Sequence, residues 1–226
     1  MISISAFADS IRATKVREDV YDATVSSNYF KNPAVETIVR SFTTEGKMHL
    51  TREDIFNEKD LHTKLVKILV WGYPGDVRNT PTIIKELGIV ETLQNQYEKK
   101  SITGKEYLKE LLAIKRLGIS TASKILYFMN VSIDNYPAII IDARVVSAFP
   151  IITELAKLTG AWDVKSYIKA NTAIGELAKS NKLAPEQIEY FLFKLGKEWE
   201  NHIQTIIKKE ENNANKQLID GLLLCP

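Results

Sequence analysis

Several long stretches of the chain place apolar residues at every third or fourth position, the spacing that lines one face of an α-helix. Glycine and proline, which interrupt helices, number only 10 and 7 among 226 residues. The clearest strand-like run, Ala138 to Ile141, is short and follows Pro137, so we expect an extended entry into a helix there. The sequence therefore predicts an all-α fold. The periodic stretches are DLHTKLVKILVWGY, KEYLKELLAIKRL, ASKILYFMN and EQIEYFLFKLGKEWENHIQTIIKK.

Cysteine and histidine usage excludes several kinds of site. The only cysteine, Cys225, cannot form an intramolecular disulfide or hold a cysteine-ligated zinc or iron–sulfur cluster within one chain. The histidines His49, His62 and His202 lie far apart and form no HExxH-type pair. No apolar run approaches the roughly 20 residues of a membrane span, and the start lacks the order of a signal peptide. We expect an intracellular protein without a metal or organic cofactor.

The segment Ile114 to Leu126, IKRLGISTASKIL, reads as two helices joined by a turn. Gly118 permits a turn that side chains would hinder, while Leu117 and Ile119 can anchor it in the core. Ser120 and Thr121 are expected to cap the second helix, whose free amides form a ready phosphate site. Lys115, Arg116 and Lys124 add positive charge to it. The alternative is an ordinary corner between two helices of a bundle.

An aspartate ends the hydrophobic run that follows this hairpin. Asp142 comes after Ile139-Ile140-Ile141, where a new helix is predicted to begin. One interpretation is a helix N-cap. A carboxylate held at a helix N-terminus behind apolar residues can also be positioned as a catalytic group, and the two roles are compatible.

The hairpin followed by an aspartate resembles the helix-hairpin-helix DNA glycosylases, and the ending IIIDARVV is most similar to their 8-oxoguanine-glycosylase-like bacterial branch. The resemblance covers roughly Leu108 to Phe149, with looser support from the Trp71-to-Pro74 loop and the Phe191-to-Gly196 helix. It implies one glycosylase domain over 1–226, made of two helical lobes with the DNA groove between them. The helix-hairpin-helix would occupy about 105–130, and residues 210–226 would form a mobile tail.

The resemblance assigns roles to the hairpin and to Asp142. The backbone of Leu117, Gly118, Ile119 and Ser120 would face a DNA phosphate, and Asp142 would assist cleavage of the bond between base and deoxyribose. Serine at position 120 stands where bifunctional relatives carry a lysine nucleophile, and Arg116 stands where glycine is usual. We therefore expect a monofunctional glycosylase in which water attacks. The DNA-binding set is Lys115, Arg116, Leu117, Gly118, Ile119, Ser120, Thr121, Arg144, Arg78 and Asn79.

Three more assignments follow from the same resemblance. Lys124 lies four residues after Ser120 on the same helix face, where it would either replace the missing amine or, as we expect, contact a phosphate from solvent. A flipped base would lie against Gln187 and Phe191, with Tyr190 and Phe193 as competing aromatic residues. Arg78 and Asn79 would enter the duplex or read the opposite base, and Trp71 and Tyr73 would pack in the core.

The expected partner is double-stranded DNA with a damaged or modified base, bound by a monomer in the cytoplasm at the nucleoid. Oxidised guanine, alkylated bases, uracil-like lesions and phage-type modified cytosines all remain open, so the role is either base-excision repair or defence against modified phage DNA. The resemblance also allows a structural monovalent cation held by hairpin carbonyls. Two other readings are a non-catalytic DNA-binding module and a helical scaffold; salt-dependent DNA binding would exclude the scaffold.

Overall fold

A computed structural model describes residues 1–75, 80–158, 160 and 162–198, with Thr80 and Pro81 described by their backbone alone. The prediction of a mainly helical fold is confirmed. The predicted tail at 210–226, Cys225, His202, Arg78 and Asn79 lie outside the described residues. The helices are α1 Ala8–Arg12, α2 Ser27–Phe30, α3 Glu36–Ser41, α4 Arg52–Phe56, α5 Leu61–Gly72, α6 Thr80–Lys85, α7 Leu87–Glu98, α8 Gly104–Ala113, α9 Ile119–Phe128, α10 Ala143–Ala148, α11 Val164–Ser180 and α12 185–198.

Two small antiparallel sheets accompany the helices, and the sequence analysis did not include them. The first has strand order β1-β3-β2, with β1 Val20–Thr24, β2 Thr43–Thr44 and β3 Lys47–Thr51. In β3, Met48 and Leu50 are buried between exposed residues, which is the two-residue period of a strand with one face on the core. The second sheet pairs β4 Ser132–Ile133 with β5 Tyr136–Pro137. Strands this short leave little periodic signal in a sequence.

Helix α9 runs through the centre of the core. Every residue of this helix except Ser120 is buried, and α9 packs against α5 and α8. Burial of apolar surface contributes about 25 cal/mol per Å² to the free energy of folding, so the core holds this helix firmly. Because α9 begins in the predicted hairpin, its first turn is held by the same core.

Helix starts follow their capping residues. Thr51 forms a reciprocal capping box with Asp54 at the start of α4. Thr103 forms the same arrangement with Glu106 at the start of α8. Helix α12 begins at Pro185, and the first helical position is one that proline favours. Local hydrogen bonding thus sets where these helices begin.

Candidate active site

A tight turn joins α8 to α9, as the hairpin prediction required. Leu117 and Ile119 are buried on either side of it. The left-handed backbone conformation lies at Arg116, with φ of 68°. Gly118 is the N-cap of α9 with φ of −90°, a conformation open to any residue, and an added Cβ there would meet nothing within 4 Å. The idea that Gly118 makes the turn is therefore wrong, and the strained position is Arg116, where the resembling family usually has glycine.

The amides at the start of α9 are free of side-chain caps. Thr121 and Ala122 donate the first intrahelical hydrogen bonds to the Gly118 carbonyl, at 3.0 and 2.9 Å, so the amides of Ile119 and Ser120 precede the hydrogen-bonded ladder. The expectation that Ser120 and Thr121 cap the helix is wrong, because both lie inside its first turn. Their hydroxyls instead meet the Tyr73 hydroxyl, at 3.2 and 2.9 Å.

The charged residues of the turn point to solvent. Lys115 and Arg116 are exposed, as phosphate contacts need to be. Arg144 is partly buried, with its guanidinium 5.2 Å from the centre of the Phe193 ring. The turn therefore combines two free helical amides with two exposed cations.

The run before Asp142 is extended, as predicted, and buried; the Ala138 amide donates to the Val131 carbonyl beside the second sheet, and side chains hold the rest of the run. The Asn171 side chain accepts from the Ile139 amide at 3.1 Å, and the Tyr167 hydroxyl donates to the Ile139 carbonyl at 3.0 Å. Ser123 accepts from the Ile141 amide at 3.1 Å. These bonds satisfy backbone groups at Ile139 and Ile141 that none of the described strands pairs, and they fix where the run ends.

Asp142 is the N-cap of α10. Its Oδ1 accepts from the amides of Arg144 and Val145, at 3.1 and 3.2 Å. These two hydrogen bonds hold the carboxylate in one orientation. The side chain is 20% exposed, so a ligand can still reach it. The capping interpretation is thereby confirmed, and the catalytic interpretation stays compatible with it.

Lys124 occupies a position that the sequence analysis did not expect. Its side chain is only 5% exposed, so a solvated phosphate contact is wrong. The ammonium group donates to Ser120 Oγ at 2.9 Å and lies 3.8 Å from Asp142 Oδ2. The stem runs so close to Gly72 that a Cβ on that glycine would be 2.9 Å from Lys124 Cδ. The lysine, Ser120 and Asp142 thus form one cluster.

A second ion pair, absent from the sequence analysis, lies in the same region. Arg52 donates to both carboxylate oxygens of Glu189, at 2.6 and 3.2 Å, and both side chains are almost fully buried. Burial raises the pKa of Glu189, against the opposing charge of Arg52. Burial acts to lower the pKa of Arg52, but the charges of Glu189 and Tyr127 outweigh it and raise the pKa.

Both ion pairs line one cavity of about 90 Å³. Its walls include four aromatic side chains, and Arg144 lies at its edge. Pairs of opposite charges set among aromatic walls suit a polar, planar ligand such as a nucleobase. The aromatic residues are Tyr21, Trp71, Tyr190 and Phe193.

Helix α12 turns a different face to this cavity from the one expected. Tyr190 lines it, as predicted, together with Phe193 and Glu189. Gln187 instead accepts from the Ala184 amide and donates to the Arg12 carbonyl, and Phe191 packs on Phe7 with ring centres 5.6 Å apart. The assignment of Gln187 and Phe191 to the pocket is corrected: the helix is rotated so that neither lines the cavity. A spacing of four residues could not reveal that rotation.

Within the described ranges, no group of three His, Cys, Asp or Glu side chains is placed to hold a metal ion. A monovalent cation on the hairpin carbonyls stays a prediction. Of the helices that the structure describes, none is long and apolar enough to cross a membrane.

A family model described as "Putative 8-oxoguanine DNA glycosylase OGG-like protein" matches residues 11–193, well over half of the chain. That range includes the hairpin and all the residues of the cavity. The chain has no match among curated proteins or among solved structures.

Proposed function

The chain belongs to the OGG-like DNA glycosylase family, and from that premise we propose that it flips a damaged or modified base out of duplex DNA and hydrolyses its N-glycosidic bond. One observation carries the proposal. The Asp142 carboxylate is fixed by two amides in a cavity lined by aromatic side chains, and it lies 3.8 Å from Lys124 of α9, the helix whose first amides are free.

The hairpin would hold a DNA phosphate. The amides of Ile119 and Ser120 and the partial positive charge of the helix N-terminus favour an anion there. Open space beside Gly118 lets a phosphate approach the backbone, and Lys115 and Arg116 add charge from solvent. The Cα of Lys124 lies about one turn after that of Ser120 on the same helix, about 6 Å further along the axis. A phosphate bound at the tip would therefore lie close to the cavity.

Asp142 would stabilise the charge that develops as the base departs. The sugar gains oxocarbenium character, which a fixed carboxylate in a sheltered site stabilises without having to reorient. In the hydrolytic reaction, water attacks C1′, its proton passes to Asp142, and the base leaves with the bonding electrons. Ser120 has no amine and cannot form an imine with the sugar. With serine at this position, the reaction stops at the N-glycosidic bond. Aromatic walls would receive the flipped base.

The position of Lys124 favours a second candidate, a glycosylase with a lyase step. Lys124 Nζ is 2.9 Å from Ser120 Oγ, the position of the lysine nucleophile in the resembling family, and 3.8 Å from a carboxylate that can take its proton. The neutral amine would attack C1′ as the base leaves, giving an imine. Loss of the C2′ proton would then expel the 3′ phosphate by β-elimination.

Borohydride separates the two candidates, because it reduces an imine to a stable protein–DNA adduct. A lyase predicts an adduct with wild type and with Ser120→Ala and none with Lys124→Arg. Hydrolysis alone predicts abasic sites in all three proteins and an adduct in none.

The proposed function itself is tested by single-turnover incubation of wild type and Asp142→Asn with duplexes that carry oxidised guanine, alkylated bases, uracil-like lesions or phage-type modified cytosines. Abasic sites are scored with alkali. Release of one base by wild type, with Asp142→Asn strongly impaired, supports a glycosylase and separates repair from phage defence. Equal, salt-dependent DNA binding by both proteins without release of any base would favour a non-catalytic DNA-binding module.

The remaining parts of the proposal concern its setting. The partner is double-stranded DNA, gripped by a monomer in a groove between two helical lobes. A DNA substrate implies an intracellular location at the nucleoid.

A further inference from the structure

The Arg52–Glu189 pair joins the first turn of α4 to α12, across 137 positions in the sequence. Aromatic rings surround the guanidinium of Arg52, with Trp71, Tyr127 and Tyr190 at 5.7, 5.2 and 5.6 Å from its central carbon to the ring centres. The Glu189 side chain is 1% exposed and still lines the cavity. The pair therefore forms a buried part of the cavity wall.

Stability alone gives a weak reason to keep two charges in such a place. Removing a carboxylate and a guanidinium from water costs several kcal/mol per ion, and apolar residues of similar volume often stabilise a fold as well or better. The aromatic surroundings would accept such residues. A function of the charges in the cavity is the more direct explanation.

The carboxylate of Glu189 has hydrogen-bonding capacity left over. An ionised carboxylate offers about four lone-pair sites, and Arg52 fills two of them. Arg52 also compensates the charge. The cavity is lined by three carboxylates, Asp19, Asp142 and Glu189, and by three cations, Arg52, Lys124 and Arg144, so its charges balance and suit an uncharged ligand.

We propose that Glu189 recognises the flipped base by accepting a hydrogen bond from its exocyclic amine, with Arg52 as the residue that holds the carboxylate in place. This inference rests on the proposed glycosylase function. The substrates it names are bases that bear an exocyclic amine. A carbonyl in place of the amine would set its lone pairs against those of the carboxylate, and a hydrogen in its place would leave the carboxylate unpaired.

Two matched pairs of bases test this inference, since only one member of each pair carries the exocyclic amine. One pair is 8-oxoguanine and 8-oxohypoxanthine, and the other is 5-hydroxymethylcytosine and 5-hydroxymethyluracil. Single-turnover excision is measured for wild type, Glu189→Gln and the control Glu186→Gln. Glu186 lies three residues earlier on α12 and accepts from Tyr127 at 2.7 Å, but it does not line this cavity.

The readout is the ratio of rates within a pair. A variant that folds poorly loses both rates together, so the ratio reports recognition separately from stability. We expect wild type and Glu186→Gln to prefer the amine-bearing base by about tenfold or more. Glu189→Gln should lose that preference and, in the pyrimidine pair, reverse it, because the glutamine amide can donate to the carbonyl.

Equal rates within the excised pair in wild type, or an unchanged ratio in Glu189→Gln, would overturn the role of Glu189. Excision only of bases outside both pairs would overturn it as well, while leaving the glycosylase function intact. If wild type releases no base from any modified duplex, the proposed function itself fails.

Discussion

The tip of the hairpin and the cavity behind it are built in opposite ways. The tip is a contiguous stretch, residues 114–120, and it offers backbone amides and exposed cations to a partner. The cavity draws its lining from residues as far apart as Val16 and Phe193, and it offers buried side chains in two ion pairs. A phosphate is the same in every nucleotide, so local backbone suffices for it; a particular base needs side chains brought together by the whole fold.

The two regions should therefore respond differently to substitution. Changes at the tip should alter affinity and its salt dependence, whereas changes in the cavity should alter the rate of excision. The four predictions below test that division, beginning with the largest effect.

Asp142→Asn should reduce single-turnover excision by about 10³-fold, because the amide cannot stabilise positive charge on the sugar. Asparagine caps helices about as well as aspartate, but it leaves the buried Lys124 ammonium without its carboxylate partner, so the free energy of unfolding should fall by up to about 3 kcal/mol. Quenched-flow excision assays and urea denaturation measure the two quantities. A matching loss of DNA affinity would contradict the separation of the cavity from the tip.

Gly72→Ala should impair the cavity through Lys124, by about tenfold in excision or in borohydride trapping. The added Cβ would lie 2.9 Å from Lys124 Cδ and 3.2 Å from Cε, so the ammonium group must move. Gly88→Ala is the control, since a Cβ at that helical glycine meets nothing within 4 Å. Equal rates in the two variants would show that the position of Lys124 is not critical.

Lys115→Gln should weaken DNA binding a few-fold at physiological salt. Loss of one phosphate contact lowers the slope of log affinity against log salt by about 0.9. Excision under saturating, single-turnover conditions should stay unchanged. Fluorescence anisotropy over a salt series measures the slope, with the exposed Lys165→Gln on α11 as control. A slope equal to that of wild type would remove Lys115 from the phosphate site.

Arg116→Gly should have the smallest effects, a slight gain in stability and a slight loss of DNA affinity. Glycine adopts the left-handed conformation at φ of 68° without strain. We expect this gain to exceed the cost of glycine's greater freedom in the unfolded chain, so that the free energy of unfolding rises by up to about 1 kcal/mol. The loss of charge should slightly weaken DNA binding. Lys100→Gly, at φ of 57°, should gain stability without a change in affinity. Urea denaturation and anisotropy distinguish these outcomes.

The features that could be read from the sequence are those that neighbouring residues decide. The hairpin around Leu117 and Asp142 as an N-cap both depend on hydrogen bonds or packing within a few positions. The small sheets escaped detection because their pairing joins distant segments, such as Val20 with Thr51.

Burial was the main source of error within the site. Lys124 carries the same charge as the exposed Lys115, and only the close packing of α9 against α5 encloses it beside Gly72. The orientation of α12 was wrongly predicted for the same reason. Apolar residues lie on more than one face of this helix, so its sequence did not show which face lines the cavity. Tyr190, Phe193 and Glu189 reach the cavity because Gly196 lets that helix approach the Arg144 carbonyl, where a Cβ would overlap it.

The sequence by itself determined a mainly helical chain, a hairpin with free amides, and a carboxylate at the start of α10, because helix periodicity and capping act over a few residues. Only the tertiary structure decided which charges meet. Arg52 and Glu189 are 137 positions apart and carry no shared local signal. Their pairing depends on the burial of both side chains in one low-dielectric cavity, where an unmatched charge would be too costly to keep.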